Sequence, residues 1–478
     1  MFKNKNDKIR TKVSPSVGYA VLILVTLAII LISGIRVFNA PLAVIMFLAW
    51  IVINAFAYKL GYSYRELEEI AIGTIRNSIQ AVIIMLAVGV LIGSWIASGT
   101  VPTIIYYGLK ILSPNYYLVT TLIICALVSM FTGTSWGTIG TVGVALLGIG
   151  IGMGINPGMI AGALISGSWF GDKLSPLSDT TNFASSVMGV DLMKHVKHML
   201  YTTIPALTVS AIIFLILGFG VKIDAANINN IAIISNDLSQ YFKINPITLI
   251  PMIVVITLLI KQKPASQAIL VGAALGMVFA IFYQKFDASM VLKAGLTGFN
   301  YEFDNEFLTK LLNRGGMDSM TRTIQALIFT TGLGGMLREM DVLKVLVSKI
   351  SHKIKSTFVL VLSAVSVSYL SIGLTGSHMF AAIMVQSTML DLFKKNGLKP
   401  ENLSRICEDC GTLGVTLIPY GVTALFIIDT LGIPFSQFAP YTFFCYLCPI
   451  FTLLLGLTGI GISRYSDEEM KQMNLKEA

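Results

Sequence analysis

Ser166-Gly-Ser-Trp-Phe-Gly-Asp-Lys-Leu-Ser-Pro-Leu-Ser-Asp-Thr-Thr-Asn182 sits within one of the apolar runs of this chain, and its reading decides the rest. Two aspartates, a lysine, six hydroxyl side chains and a proline interrupt sequence that otherwise suits hydrocarbon. A charged side chain at mid-membrane costs about 2.5 to 3.5 kcal/mol on the insertion scale, so acidic residues kept there need a reason. Pro176 has no amide hydrogen and clashes with the preceding turn, so a helix over 157–188 must open nearby and release carbonyl oxygens. Asp172 and Asp179 are seven residues apart, which on a continuous helix puts them on one face with Ser175 between them. Carboxylates, hydroxyls and freed carbonyls are the oxygen donors a hard cation such as Na+ takes in place of water. The plainer reading makes these groups helix-to-helix glue, with Lys173 neutralising Asp172. It is the weaker one for the aspartates, because successive helical side chains point about 100° apart and Lys173 cannot simply face Asp172.

The surrounding composition fixes the solvent. Of 478 residues, 55% are hydrophobic and 12% charged, against about 25% charged in soluble domains. Apolar runs of about 15 to 20 residues, long enough to cross a bilayer as helix, recur from Val17 to Ile462. The fold class is therefore an all-α polytopic membrane protein. The basic start, MFKNKNDKIRTKVSPS, precedes a run with no small-residue cleavage site, so it reads as the inner flank of a first transmembrane helix. The net charge of +9 sits in short segments flanking apolar runs, which suits lipid headgroups and the positive-inside rule rather than nucleic acid. Cys407-x-x-Cys410 and Cys445-x-x-Cys448 lie in helical runs without a nearby histidine and read as packing residues, not zinc ligands.

The chain also resembles itself. An offset of 243 residues pairs Thr132-Gly133 with Thr375-Gly376, Pro157 with Pro400, Gly171 with Gly414, Pro176 with Pro419 and Thr180 with Thr423. The matches are mostly Gly, Pro and Thr, residues that set backbone breaks, and inverted repeats are a common plan for transporters. Crossings near 17–35, 42–58, 79–97, 157–188 and 199–220 are an odd number, so the second half must be inverted. Its inner segments are basic as required: Lys261 and Lys263, Arg338 through Lys355, and Lys394 through Arg405, matching Lys194-His195-Val196-Lys197-His198 in the first half. Segments 98–115, 221–245, 284–321 and 432–438 fall outside. The expectation is ten crossings plus two re-entrant hairpins at 116–153 and its counterpart, with broken helices at mid-membrane and both termini cytoplasmic. The divisions are a cytoplasmic segment 1–16, a first membrane repeat 17–220, an external linker 221–245, a second, inverted repeat 246–462, and a cytoplasmic tail 463–478.

The hairpin tips, Thr132-Gly-Thr-Ser-Trp136 and Thr375-Gly-Ser-His378, would place helix ends near mid-membrane, where their dipoles bind ions. Ion or substrate candidates there are Thr134, Ser135, Thr375 and Ser377, and His378 is a candidate pH sensor, with a packing histidine as the equal alternative. The second broken helix carries Glu408 and Asp409, further ion or substrate candidates, where the first has Ile165 and Ser166, and valines where the first has its aspartates. The halves share a backbone plan but not a charge plan, as one ion pathway with non-equivalent ends requires. A buried carboxylate that takes either Na+ or a proton makes the two compete, and competition at an alternately exposed site is exchange.

Gly133-Thr-Ser-Trp-Gly-Thr138 and the run Ser168–Asn182 resemble the NhaC family of Na+/H+ antiporters, and the likeness spans essentially the whole chain in length and hydropathy. The resemblance implies a bacterial inner-membrane exchanger of the larger ion-transporter superfamily, with Na+ and H+ transported, no cofactor, no enzymatic activity, and room for a homodimer. Carried over, it marks Asp172, Ser175, Ser178, Asp179, Thr180 and Asn182 as ion-binding candidates, with Na+ at Asp172 and Asp179, and Thr134 and Ser135 at the first tip. The family includes malate/lactate-type members that couple a small organic acid to Na+ and H+, and the motif does not separate the subgroups. An organic anion would want Lys173, Arg405 or the tips. An intramembrane protease lacks its nucleophile turn or Gly-x-Gly-Asp motif, and an inverted repeat with unequal acidic groups favours alternating access over a channel.

Overall fold

A computed structural model describes residues 12–76, 78–221, 225–351 and 356–471, and it is helical from end to end of those segments. Eight helices are long and apolar enough to cross a membrane, and three bent helix pairs bring the number to eleven among the described residues. The expected spans are present as Val17–Arg36, Leu42–Lys59 and Ile79–Ala97. Ser16 starts the first of them by accepting from the Tyr19 amide, as an N-cap should.

Several segments read as connections are themselves helical. Residues 64–76 form the amphipathic helix Tyr64–Arg76, with Leu67 and Ala71 buried and its charged face outward. Segment 98–115 holds the mostly buried helix Thr100–Ile111, and linker 221–245 holds the helix Ala225–Tyr241. Outer segment 284–321 holds Ala288–Thr297, capped by Asp287, and Glu306–Leu312, around a nest of Phe242, Phe286, Phe299 and Phe303. The basic stretch Lys194–His198 is not a loop. Asp191 accepts from the Lys194 amide and starts a 28-residue helix, Leu192–Phe219, whose first turns bury His195 and His198. Lys353 and Lys355 of the basic segment after Arg338, residues 1–11 of the N-terminal segment and residues 472–478 of the tail lie outside the described residues.

Cross-links join distant segments that were read as lying on one side. Lys194 pairs with Glu401 at 3.1 Å, Lys399 with Glu469 at 2.9 Å, and Arg464 bonds Thr357, drawing together segments read as inner. At the other end, Tyr241 bonds Asp304, Lys243 bonds Gln284 through its amide, and Arg314 donates to the Leu431 carbonyl. The halves are interleaved in space: residues 20–71 share an apolar core with 333–410, and residues 84–170 share another with 413–448.

Two interrupted helices organise the centre. The first runs Pro157–Leu174, breaks at 175–178 and resumes as Asp179–Met188. The second runs Pro400–Leu417, breaks, and resumes at 50° as Val422–Leu431. Each break receives a tip. Gly133, left-handed at φ 68° after the helix Tyr117–Thr132, packs on Leu177, while Gly376, at φ 62° after Thr357–Thr375, lies against Gly421. Glycine is the residue that takes this backbone without strain. Beyond each break ten more helical residues continue, about 15 Å of rise, so both tips stop well inside the fold. The helix Pro157–Leu174 lies so close along Tyr117–Thr132 that a Cβ on Gly171 would stand 2.2 Å from the Ala126 carbonyl oxygen.

Candidate ion-binding site

The tips and the breaks meet at one cavity with about 110 Å³ of water-accessible space. That volume holds several waters, a partly hydrated cation or a small organic acid. Five residue pairs, each 243 apart, contribute to its wall: Thr134 with Ser377, Ser135 with His378, Trp136 with Met379, Asp179 with Val422, and Thr180 with Thr423. Asp172 and Trp169 complete the side given by the first broken helix, and Gln80, Leu327 and Thr331 close the cavity from two further helices.

Local chemistry explains the geometry. Thr134 caps Ser135–Thr138 by accepting from the Gly137 amide, Ser178 caps Asp179–Met188 by accepting from Thr181, and Ser377 caps His378–Lys395 by accepting from Phe380. With Val422, four helices begin at the cavity, and each presents the positive end of its dipole. Against that positive field stand two carboxylates. Asp172, 2% exposed, accepts a 2.7 Å hydrogen bond from Ser135 at Oδ2, while its buried Oδ1 has no partner among the described residues. Asp179 is the first residue of its helix, and its Oδ1 accepts from the Thr180 amide.

Two expectations change here. Asp172 and Asp179 do not share a helical face, because the chain leaves the helix at Ser175 and starts a new one at Asp179. Nor are both buried: Asp172 is enclosed, and Asp179 is exposed at the cavity's rim, where the new helix begins.

The remaining candidates separate into wall and scaffold. Thr134, Ser135, Thr180, Ser377 and His378 line the cavity. Ser175 is a scaffold residue, accepting from the Leu177 amide inside the break, and Asn182 holds that break by donating to the Pro176 and Ser178 carbonyls at 2.9 and 2.7 Å. Ser178 bridges the two roles, since its hydroxyl lies 3.0 Å from that of Thr180. Thr375 donates to the Ser371 carbonyl and does not reach the cavity.

Asp409 is fully engaged elsewhere. Lys173 bonds it directly, Thr202 and Thr452 donate to it at 3.1 and 2.6 Å, and the Arg405 Nε lies 4.0 Å away. This ion pair ties the end of one broken helix to the π-helical turn Cys407–Thr412 of the other. Neither Lys173 nor Arg405 lines the cavity, so neither is placed to meet an anion there. Glu408, also fully buried, lies off the cavity wall.

Trp136, Trp169 and Thr423 were not singled out from the sequence. Trp136 stacks on Phe426 at 4.7 Å, joining the first tip to the far half of the second broken helix. Thr423 was visible only as the 243-residue partner of Thr180.

The model of the Na+/H+ antiporter family matches residues 167–460, which include the break of the first broken helix, the whole of the second and the second tip. This chain belongs to that family. Its relatives differ in what their names say they carry. A malate-2H(+)/Na(+)-lactate antiporter of Bacillus subtilis is 37% identical over 92% of this chain and 94% of its own length. The Na(+)/H(+) antiporter NhaC of Alkalihalophilus pseudofirmus is 34% identical over 94% of this chain and 97% of its own. The arginine/ornithine antiporter ArcD of Halobacterium salinarum is 29% identical over 86% of this chain and 85% of its own. The chain is thus a multi-pass membrane protein of the antiporter family, similar to these relatives along nearly its whole length.

Proposed function

We propose that this protein exchanges Na+ for H+ across a bacterial cytoplasmic membrane, with both termini inside and no cofactor. The observation that carries the proposal is the Asp172 carboxylate, enclosed beside a helix break, with one oxygen fixed by Ser135 and the other unpartnered. Na+ binds that free oxygen together with hydroxyl oxygens of the tips, with Asp179 at the rim drawing the cation in. A proton that bonds the same carboxylate removes its charge and expels the ion. One site therefore holds one species or the other, and exposing it alternately to the two sides is exchange. The recurrence of tip and break at a 243-residue offset supports two inverted repeats that rock about this cavity.

A second reading, exchange of a small organic acid coupled to Na+ and H+, draws on the four helix N-termini at the cavity, which suit an anion, and on the malate/lactate relative. His378 is the one basic side chain among the residues of that wall.

Proton flux into reconstituted vesicles, monitored by a pH-sensitive dye and challenged in turn with Na+, Li+, K+, malate and lactate, separates the two readings. Exchange of Na+ for H+ without an organic acid supports the first. Flux that appears only when malate or lactate is supplied overturns it in favour of the second.

A further inference from the structure

Glu408 is the second residue of the π-helical turn Cys407–Thr412, and it is fully buried. Neither of its carboxylate oxygens accepts a hydrogen bond of normal geometry among the described residues, and the neighbouring donor is the neutral Thr412 hydroxyl at the end of the same turn. Its neighbour Asp409 is the opposite case, with Lys173, Thr202, Thr452 and Arg405 all directed at it. The ionisable groups around Glu408 are Lys173 and Asp172 from the first broken helix, Cys407, Asp409 and Cys410 on its own turn, and Arg405 one turn earlier. Tyr369, His378, Cys445 and Cys448 stand on the helices packed across that turn, and Asp179 on the far half of the first broken helix. None of them forms an ion pair with it.

An ionised carboxylate buried here without a charged partner bears most of its desolvation cost. A protonated carboxyl carries no such charge. The placement is also specific, because single π turns within α-helices are frequent at functional sites. Two adjacent acids on one turn thus have separate roles: Asp409 is paired with fixed cations, and Glu408 is left free to gain and lose a proton.

We propose that Glu408 is a proton-carrying residue of the exchange cycle, distinct from the cavity carboxylates that take the cation. Its O–H bond breaks toward water when the second broken helix opens to one side and re-forms from water on the other, and Na+ does not bind it. The inference rests on the antiporter reading. It adds a proton site that the cation does not contest.

Glu408→Gln and Glu408→Asp, with Asp172→Asn as reference, are purified and assayed for radiosodium binding, for Na+-driven proton flux in vesicles, and for the infrared carbonyl band of a protonated carboxyl. Glu408→Gln is expected to bind Na+ as wild type does, to lose the flux by roughly 100-fold, and to lack one carbonyl band seen in Na+-saturated wild type. Glu408→Asp is expected to recover part of the flux. Wild-type rate and proton count in Glu408→Gln, or a Na+-saturated wild type in which labelled glutamate shifts no such band, would overturn the proposal. The labelled wild type decides the matter even where a variant does not fold. Retention of Na+ binding by Asp172→Asn would instead remove the cavity reading and leave Glu408 to be judged by its band.

Discussion

Replacing Lys173 by methionine removes the cation from an ion pair in which both side chains are 0% exposed. Breaking a buried pair from one side costs about 3 to 5 kcal/mol, most of it the charge left behind. The stranded Asp409 would keep donors at Thr202 and Thr452 and the Arg405 guanidinium at 4.0 Å. Each neutral donor contributes about 1 kcal/mol, so Lys173→Met belongs at the low end, about 3 kcal/mol. Asp409→Asn leaves the Lys173 charge with neutral partners alone, the amide oxygen, Thr202 at 3.4 Å and Cys448 at 3.8 Å, so it belongs nearer 5 kcal/mol. The double variant leaves no unpaired member of the pair and is expected to cost less than the sum of the two, the signature of coupling in a double-mutant cycle. All five cysteines are free and buried, so a thiol-reactive fluorophore reports unfolding during a thermal ramp in detergent. Additive single effects, or a Lys173→Met variant within about 1 kcal/mol of wild type, would refute the view that this pair joins the broken helices.

Asp179→Asn should raise the Na+ concentration for half-maximal flux by roughly tenfold or less, because Asp179 is an exposed rim charge, while Asp172→Asn should abolish Na+-dependent flux in the same vesicle assay. Gly171→Ala would drive a methyl to within 2.4 Å of the Met130 amide nitrogen and should cost about 1 to 3 kcal/mol or prevent folding; Gly373→Ala, with open space around it, should be neutral, and size-exclusion profiles compare them. The Lys399–Glu469 bond holds Glu469 below the usual carboxylate range and Lys399 above the usual lysine range. Docking of the tail should therefore be constant through neutral pH, and weaken only as pH falls through the lowered Glu469 value or rises through the raised Lys399 value; hydrogen exchange over residues 466–471 measures it.

The parts of the fold that sequence made legible are those where a single residue type dictates the backbone. Pro176 forced the first break, Gly133 and Gly376 marked the tips, and the 243-residue offset predicted that Thr134 and Ser377 would occupy matching places. Charge placement predicted which segments come together, as Lys194 with Glu401 shows. What escaped notice depended on tertiary packing. The helix Thr100–Ile111 is 12 residues long, too short to read as a crossing, and Lys194–His198 looked like a loop because its cap, Asp191, lies outside the basic cluster. Asp172 and Asp179 were placed on one face by assuming an unbroken helix through Ser175, although Pro176 already argued against it. That Lys173 is bonded to Asp409, 236 residues away, had no local trace at all.

The central claim is that Na+ and H+ contend for the Asp172 carboxylate. Adding NaCl to weakly buffered, purified protein in detergent, with a pH indicator present and choline chloride as the control, tests it without any membrane or gradient. Wild type should release protons with a saturable dependence on Na+, and Asp172→Asn should release fewer at every concentration. Equal proton release from the two proteins, or Na+ binding to wild type with no proton released over the pH range of exchange, would contradict the account.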